Sequence, residues 1–339
     1  MQAASGSIGG LGHRHLAVID LIGGAQPMQA EERGRPIASL VYTGEVYNFV
    51  ELRDELTRLG HQFKTRSDTE VVLRGYLQWG DKVADRLNGM FAFAIWDVRT
   101  EELYLIRDRM GVKPLFYYPT ADGLLFGSEP KAILAHPSVQ PRVNKDGFRE
   151  ILVLAKNPER TIYAGMYEVG PGQIVRVKRA GLTKQRYWKL TAHEHEDDLP
   201  RTIRTVSELL EDIVRRQIVS DVPLCSLLSG GLDSSAVTAM AHRAMSLQQG
   251  GRIRSFSVDF MVRPSSRATS TSRLIPHSCA ILSPTSAAIT PKSSWTATSS
   301  QIGRLAAPLC RPATFRSAFR ETCFPPCTGF FRSFEPNQR

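Results

Sequence analysis

The residues best suited to chemistry lie in one short stretch, Ser229-Gly230-Gly231-Leu232-Asp233-Ser234-Ser235. The apolar run at residues 222–228 predicts a buried strand before it, and apolar residues at helical spacing from Ala236 predict a helix after it. Glycines let the chain turn sharply, and the first amides of a helix point unpaired N–H groups at an anion. Serine hydroxyls add further donors. The stretch therefore predicts a phosphate-binding turn.

Asp233 indicates a phosphate site that also binds a metal cation. A carboxylate repels phosphate unless a cation lies between them, and Mg²⁺ held by one carboxylate and phosphate oxygens is the expected cation. The lysine of the γ-phosphate loop G-x-x-x-x-G-K-[ST] does not occur in the stretch. The alternative is a serine- and glycine-rich turn that binds nothing. The whole string is similar to the SGGxDS loop of ATP pyrophosphatases, which favours ATP and Mg²⁺ as ligands.

Composition limits the class of protein. A chain of 339 residues is long enough for two domains, and it has no apolar run of the length that spans a membrane. The first residues lack the basic and apolar regions of a signal peptide. Five cysteines, unevenly spread, do not indicate a disulfide framework. We therefore expect a cytoplasmic protein without a membrane partner.

The net charge of +10 is concentrated in the last part of the chain. Residues 261–339 contain ten Lys/Arg and two Asp/Glu, so the preceding 260 residues carry a net charge of only +2. The body of the protein therefore lacks the basic footprint of a nucleic-acid-binding domain. A tail that binds nucleic acid is a minor alternative. The tail is also rich in serine, threonine and proline without sustained periodicity, which predicts disorder.

The elements that must position these residues form two groups. The hydrophobic pattern of the first group predicts strands at residues 15–20, 38–42, 90–96, 102–108, 115–118, 124–126 and 174–178, and helices at 47–59, from 67 onward, and at 145–154. Hairpins on either side of helices indicate a layered α+β domain.

The second group forms one βαβ unit around the phosphate loop. A helix is predicted at residues 205–219 and a strand from Ile253 to Phe260. The helix is expected to bury Val206, Leu209, Leu210, Ile213, Val214 and Ile218.

Several motifs occur in an order typical of one family. They are GHRHLAVID (residues 12–20), GAQP (24–27), TGEVYN (43–48), SDTE (67–70), NGMFAFA (88–94), RDRMGVKPL (107–115), GSE (127–129) and SGGLDSS (229–235). Together they resemble asparagine synthetase of the glutamine-hydrolysing kind, over roughly residues 10 to 260.

The resemblance implies a fold and a domain order. Residues 1–192 would be a class II glutamine amidotransferase domain, an α+β sandwich of the N-terminal-nucleophile (Ntn) αββα type. After a linker at 193–204, residues 205–260 would begin an α/β parallel-sheet ATP-pyrophosphatase domain. Residues 261–339 would be a tail that is disordered or translated out of frame.

The implied reaction converts ATP, aspartate and glutamine to asparagine, AMP, pyrophosphate and glutamate through β-aspartyl-AMP. Its partners would be these small molecules, with a homodimer also possible. Two alternatives stay open: a related amide- or lactam-forming ligase, and an inactive truncated remnant that at most binds ATP. An assay of ATP-dependent pyrophosphate release with a panel of carboxylic acids would distinguish asparagine synthesis from the first alternative.

The resemblance also implies site residues. Asp68 would bind the amino group of glutamine, in a pocket lined by Thr43, Gly44 and Glu45. Leu227 and Val258 would border the adenine of ATP, and the phosphates would lie on Ser229, Gly230, Gly231, Asp233, Ser234 and Ser235, with Asp233 on the metal. The simpler interpretation of Asp68 is a charge in the first turn of a helix, worth under about 1 kcal/mol.

The sequence departs from the family pattern at the positions that perform the chemistry. The family nucleophile is an N-terminal cysteine, whereas residue 2 is Gln2 and the first cysteine is Cys225, so we assign no catalytic residue. His15 stands where the family has an arginine, and a neutral imidazole cannot form a bidentate pair with a carboxylate. Thr43 replaces an asparagine. Roughly the first 50 residues of the family pattern are missing, so we also expect the opening strand of the sandwich to be missing. The tail is rich in serine, proline and arginine and lacks the family's second motif, SGE followed by acidic residues, so we expect the reading frame to be lost after Phe260.

Overall fold

The computed structural model describes residues 9–14, 16–154, 157–249, 252–257 and 327–332 of the chain. The described residues divide into two compact units at the step from His193 to Glu194, and residues 327–332 belong to the first unit. Within these ranges, no helix has the length and apolar character needed to cross a membrane.

The elements of the first unit, up to His193, are mostly antiparallel strands. These strands are β1 Gly9–His13, β2 Met28–Glu32, β3 Arg35–Val46, β4 Gly89–Asp97, β5 Glu102–Arg107, β6 Phe116–Thr120, β7 Gly123–Gly127, β8 Tyr167–Glu168, β9 Gln173–Lys178 and β10 Gly181–Arg186. The helices are α1 Phe49–Arg58, α2 Asp68–Trp79, α3 Val83–Arg86, α4 Pro130–Leu134 and α5 Lys145–Val153, with a 3₁₀ turn at Gly80–Lys82.

The second unit supplies two helices and two strands. These are α6 Leu199–Gln217, β11 Cys225–Leu227, α7 Leu232–Gln249 and β12 Arg254–Phe256. The strand β13, Cys327–Arg332, then returns to the first unit.

Two antiparallel sheets form the centre of the first unit. One has the strand order β10-β9-β5-β4-β3-β2, and the other has the order β1-β13-β7-β6-β8. Successive residues of a strand face opposite sides of its sheet. In β3, Val41 therefore joins Leu105 and Phe126 in the core between the sheets, while Leu40 joins the core under α1 and α2.

Helices cover the outer faces of both sheets. Leu56 of α1 and Val72 of α2 pack on the six-stranded sheet, and Ile133 of α4 packs with Leu125 of the five-stranded sheet. The order of layers is helix, sheet, sheet, helix, so the predicted αββα sandwich is confirmed.

Most predicted elements of this unit are confirmed. Helix α2 begins as expected, because the Ser67 side chain accepts a hydrogen bond from the amide of Glu70. The hairpins β4–β5 and β6–β7 and the helix α5 also occur where the pattern indicated. The strand predicted at residues 15–20 is wrong. Residues 16–20 form a loop that turns at Asp20, whose φ is +49° and whose carboxylate accepts from the amide of Gly23.

In the second unit, two predictions need correction. Helix α6 begins at Leu199, six residues before the predicted start at Thr205. Asp198 caps the helix by accepting from the amide of Arg201, and Pro200 is tolerated in a first turn. Of the six residues expected to be buried on this helix, only Val214 and Ile218 are buried. These two residues pack with Ala241 of α7 and with Ile253.

The strand predicted at residues 222–228 is also shorter and more exposed than expected. Only residues 225–227 form β11, and Leu228 is the buried member of the run. The strand predicted from Ile253 is present as β12, while Val258 and Phe260 lie outside the described residues. The parallel pairing of β11 with β12 around α7 confirms the βαβ unit.

The tail has one described element. The prediction of a disordered or out-of-frame tail falls largely outside the described residues, but 327–332 form β13. This strand lies between β1 and β7 and is antiparallel to both.

Candidate functional site

A pocket in the first unit lies where the end of β3 meets the first turn of α2. Its lining residues are His13, Leu16, Val18, Ile19, Tyr42, Thr43, Gly44, Glu45, Asp68 and Thr69. Thr43, Gly44, Glu45 and Asp68, which the sequence predicted to share a site, are therefore brought together. His15 lies outside the described residues, between two residue stretches that contribute to the wall.

Asp68 is the most buried charged group of this pocket. Its side chain is at the start of α2, and its Oδ2 accepts hydrogen bonds from the Tyr42 hydroxyl at 2.7 Å and the Val46 amide at 3.1 Å. Burial raises the pKa of Asp68, and the two hydrogen bonds oppose that rise. A helix N-terminus also favours a negative charge. The two hydrogen bonds and the helix N-terminus therefore favour the ionised form of Asp68, burial opposes it, and a cation would stabilise it.

Glu45 is a second acidic group in the same pocket. Its side chain is half-buried on β3, and burial raises its pKa. The negative charge of Asp68 raises the pKa of Glu45 further, and the positive charge of Lys113 opposes this. Burial and the charge of Asp68 thus both disfavour the ionised form of Glu45, and a positively charged group placed in the pocket would offset both effects.

Gly44 lies between these groups, and its conformation excludes a side chain. Its φ is +137°, and a Cβ there would collide with the backbone oxygen of Met90 on β4. The absence of a side chain lets β3 and β4 approach closely at this point. Any ligand in the pocket therefore meets the backbone at this position.

The RDRMGVKPL motif supports the pocket without lining it. The buried carboxylate of Asp108 accepts from the amides of Phe91, Met110, Val112 and Lys113 at 2.9 to 3.2 Å. Phe91 is the cross-strand partner of Gly44. The motif thus fixes the strand against which Gly44 packs.

Arg107 holds the same loop from its other side. Its guanidinium donates to the backbone oxygens of Lys113, Gly111 and Val169, each at 2.7 Å. It also forms a buried ion pair with Glu168 at 2.9 Å. Each of the three guanidinium nitrogens is thus committed within the fold, which gives Arg107 a structural role.

Two supporting contacts at the site, made by Tyr42 and Gln26, were not predicted from the sequence. Tyr42 orients Asp68, and the Gln26 side chain accepts a 2.6 Å hydrogen bond from the Tyr42 amide. The sequence does indicate a buried hydrogen bond at Tyr42, because a tyrosine in a largely apolar buried strand needs a partner for its hydroxyl. The identity of that partner depends on tertiary contacts, which the strand alone does not encode.

The phosphate loop of the second unit has the predicted strand–turn–helix form. Gly230 turns the chain with φ +86°, and α7 begins at Leu232. The hydroxyls of Ser229 and Ser234 lie 2.8 Å apart across the turn, and the Ser235 amide donates to the Gly231 carbonyl at 3.1 Å. The turn is thus closed by its own serines.

The exposure of this loop suits a ligand that comes from solvent. Ser229, Gly231 and Asp233 are exposed, and Gly230, Ser234 and Ser235 are half-buried. Leu227 has 74% of its surface exposed at the same end of β11. Val258, the other predicted neighbour of the adenine, lies outside the described residues.

The acidic groups of the described residues do not form a closed metal site. No cluster of three or more His, Cys, Asp or Glu side chains with metal-binding geometry occurs among them. A cation beside Asp233 would therefore take most of its ligands from phosphate oxygens and water, as Mg²⁺ commonly does.

Two family models match the chain, and the boundary between the two units falls in the gap between the matches. A model described as glutamine amidotransferase domain matches residues 4–188, and one described as asparagine synthase matches residues 205–275. The pocket with Asp68 falls within the first match, and the phosphate loop falls within the second.

Curated relatives include several asparagine synthetases. The chain is 44% identical over 251 residues to asparagine synthetase [glutamine-hydrolyzing] 3 of Bacillus subtilis, covering 74% of this chain and 41% of that protein. It is 33% identical over 268 residues to putative asparagine synthetase [glutamine-hydrolyzing] 2 of Methanocaldococcus jannaschii, covering 74% of this chain and 51% of that protein. The chain thus spans about half or less of the length of these relatives.

A solved structure with some similarity is the glutamine phosphoribosylpyrophosphate amidotransferase of B. subtilis. The identity is 16% and the TM-score is 0.37, covering 69% of this chain and 57% of that one. The assignment rests on the family model, which matches more than half of this chain. The chain therefore belongs to the glutamine amidotransferase domain family.

Proposed function

We propose that the first unit binds glutamine and that the chain carries the glutamine and ATP sites of a glutamine-hydrolysing asparagine synthetase. The observation that carries the proposal is the convergence of Asp68, Glu45 and Gly44 on one pocket, within the residues that the amidotransferase model matches. The proposed overall reaction converts ATP, aspartate and glutamine to asparagine, AMP, pyrophosphate and glutamate.

The two carboxylates suit the α-ammonium group of glutamine. A charge-assisted hydrogen bond to Asp68 would be stronger than one between neutral groups, and it would offset the cost of burying the carboxylate. Glu45 adds a second negative charge on the same wall. The pocket would therefore discriminate α-amino acids from acids that lack the amine.

The other end of glutamine would face the backbone of β3. Hydrolysis of its side-chain amide consumes water and yields glutamate and ammonia, with negative charge developing on the amide oxygen. The Thr43 hydroxyl and the Gly44 amide are the donors in this wall that could stabilise that charge. We further assign His15 to the glutamine pocket, as a single hydrogen-bond donor to the α-carboxylate.

ATP is proposed to bind at the turn of the second unit. The exposed first amides of α7 and the hydroxyls of Ser229, Ser234 and Ser235 would hold its phosphates. Asp233 would hold Mg²⁺, which would neutralise phosphate charge. Leu227 and Val258 are assigned to the adenine. The acid activated by ATP is proposed to be aspartate, as in the named activity of the relatives.

Calorimetric titration tests the glutamine site. L-glutamine should bind the full-length chain, whereas glutaramic acid, which is glutamine without its α-amino group, should bind at least about tenfold more weakly. Asp68→Asn should abolish this preference. Asp54→Asn, at an exposed position of α1, is the matched control and should keep it. Equal affinity for both ligands in the unmodified chain would contradict the assignment.

A separate titration tests the nucleotide site. ATP should bind more tightly with Mg²⁺ than without it, and Asp233→Asn should remove that difference. Glu208→Gln, at an exposed position of α6, should leave it unchanged. Because the two sites lie in different units, either proposal can fail while the other stands.

A further inference from the structure

The five-stranded sheet of the first unit is assembled from distant parts of the chain. Within its order β1-β13-β7-β6-β8, β13 pairs with β1 on one side and with β7 on the other. Gly329 lies opposite Leu11 and Phe126, and Phe330 lies opposite Gly10 and Leu125. The backbone of β13 is thus shared between both neighbours along most of its length.

Strand β1 depends on this arrangement. Adjacent strands lie about 4.8 Å apart, so β1 and β7 are separated by roughly twice that distance and cannot pair with each other. Among the described strands, β1 pairs with β13 alone. Its sequence, Gly-Gly-Leu-Gly-His, has little intrinsic preference for a strand, and only Leu11 packs against the core between the sheets.

Strand β7 also needs a neighbour on this side. Leu124, Leu125 and Phe126 are each no more than 3% exposed. Without β13, the backbone N–H and C=O groups along this side of β7 would be unpaired at the edge of a well-packed sheet. An open edge of this kind accepts an extended segment.

The pairing reaches the pocket of the first unit. The register sets Cys327 opposite His13, and His13 lines the pocket that contains Asp68. An ordered β13 therefore fixes the strand that carries one wall of the pocket.

We propose that the gap between β1 and β7 is a strand-acceptor groove whose occupant is the segment 327–332. The groove takes this segment through backbone pairing, so the segment can also bind as a separate peptide. Its occupancy orders β1 and, with β1, the His13 side of the pocket. This inference is independent of which ligand the pocket binds.

Hydrogen exchange measured by mass spectrometry tests the proposal on the full-length chain. Two truncations form a matched pair: one ends at Pro326 and lacks β13, and the other ends at Arg332 and keeps it. Removal of β13 should speed amide exchange in β1 and β7 by at least about tenfold, while β4 and β5 stay protected. The chain that ends at Arg332 should exchange like the full-length chain.

Two single substitutions test the same point without shortening the chain. Gly329→Pro and Phe330→Pro each remove one N–H, and neighbouring residues of a strand point these groups toward opposite neighbours. Each substitution should therefore weaken protection, one mainly in β1 and the other mainly in β7. If the chain that ends at Pro326 fails to fold, these two variants still test whether pairing with β13 protects β1 and β7.

A peptide tests whether the groove accepts a strand in trans. A peptide of residues 325–334 carrying Cys327→Ser should restore protection of β1 and β7 in the chain that ends at Pro326. A scrambled peptide of the same composition should not. The proposal is overturned if β1 in the full-length chain exchanges as fast as it does without β13, or if the matched peptide restores no protection.

Discussion

The hydroxyl of Tyr42 donates a 2.7 Å hydrogen bond to the carboxylate of Asp68, and both side chains are buried. Tyr42→Phe removes this donor but keeps the ring. The pKa of Asp68, which burial already raises, should rise further because the ionised form loses a partner. We expect glutamine affinity to fall about tenfold, with a larger loss at low pH. Titrations across a pH series, with Tyr118→Phe as the control, measure this effect.

The ionised form of Asp68 is proposed to bind the ligand, but the same form should lower the stability of the fold. A carboxyl whose pKa is raised by folding binds its proton more tightly in the folded chain, so the free energy of unfolding decreases as pH rises through that pKa. Asp68→Asn removes this titration, and the amide oxygen can still accept from Tyr42 and Val46.

We therefore expect Asp68→Asn to melt a few degrees above the unmodified chain at pH 7. The difference should shrink as pH falls below the ordinary value of 3.8, where the aspartic acid is also neutral. Differential scanning calorimetry at several pH values measures it. A lower melting temperature for the variant at pH 7 would show that the ionised carboxylate stabilises the fold.

The positive φ of Gly44 gives a prediction about stability. Gly44→Ala combines an unfavourable backbone conformation with a collision against the Met90 oxygen, so it should destabilise the first unit by about 3 kcal/mol or more. Gly34→Ala is a fitting control, because Gly34 also has a positive φ, +74°, but its Cβ would meet open space. That control should cost only about 1 kcal/mol. Urea unfolding of both variants compares the two costs.

Burial should give two of the ion pairs of this unit different effects on stability. The side chains of Arg107 and Glu168 are 8% and 4% exposed, whereas Lys131, which pairs with Glu129 at 2.7 Å, is 67% exposed. Glu168→Gln leaves a buried charge without its counter-ion and should cost about 3 kcal/mol. Lys131→Met should cost less than about 1 kcal/mol. Similar values from denaturant unfolding would contradict a structural role for Arg107.

The phosphate loop allows a substitution that alters binding without altering the fold. A Cβ on Gly231 would contact only the Ser229 hydroxyl oxygen, at 3.7 Å, so Gly231→Ala should leave the melting temperature unchanged. The added methyl would occupy the space that a phosphate needs beside the first amides of α7. We expect ATP affinity to fall about tenfold. Unchanged affinity would place the nucleotide elsewhere.

The sequence was a good guide where one local signal decided the structure. Ser67 followed by acidic residues predicted the start of α2, and the polar turn after Trp96 predicted the β4–β5 hairpin. It failed at residues 15–20, where weak alternation competed with the turn made by Asp20. It also failed for the apolar face of α6, because burial depends on what packs against the helix, here α7, and not on the pattern of the helix alone.

The residues of the candidate site likewise include some that could be predicted from the sequence and some that could not. The resemblance implied that Thr43, Gly44, Glu45 and Asp68 share one site, and the fold brings them together. Tyr42 was not predicted, because its role depends on a partner 26 residues away. The strand β13 was not predicted either, since only the register with β1 and β7 distinguishes it from the surrounding tail.

The pairing of β1 with β13 also has a mechanical consequence. Gly9 lies opposite Phe331, so β1 and β13 run antiparallel with Gly9 and Phe331 at the same end of the pair. A force applied through the two ends of the chain would load the ladder one hydrogen bond at a time, from Gly9 toward His13. The hydrogen bonds between β1 and β13 would therefore break in sequence at low force, and His13, in the pocket wall, would be the last residue of β1 to detach.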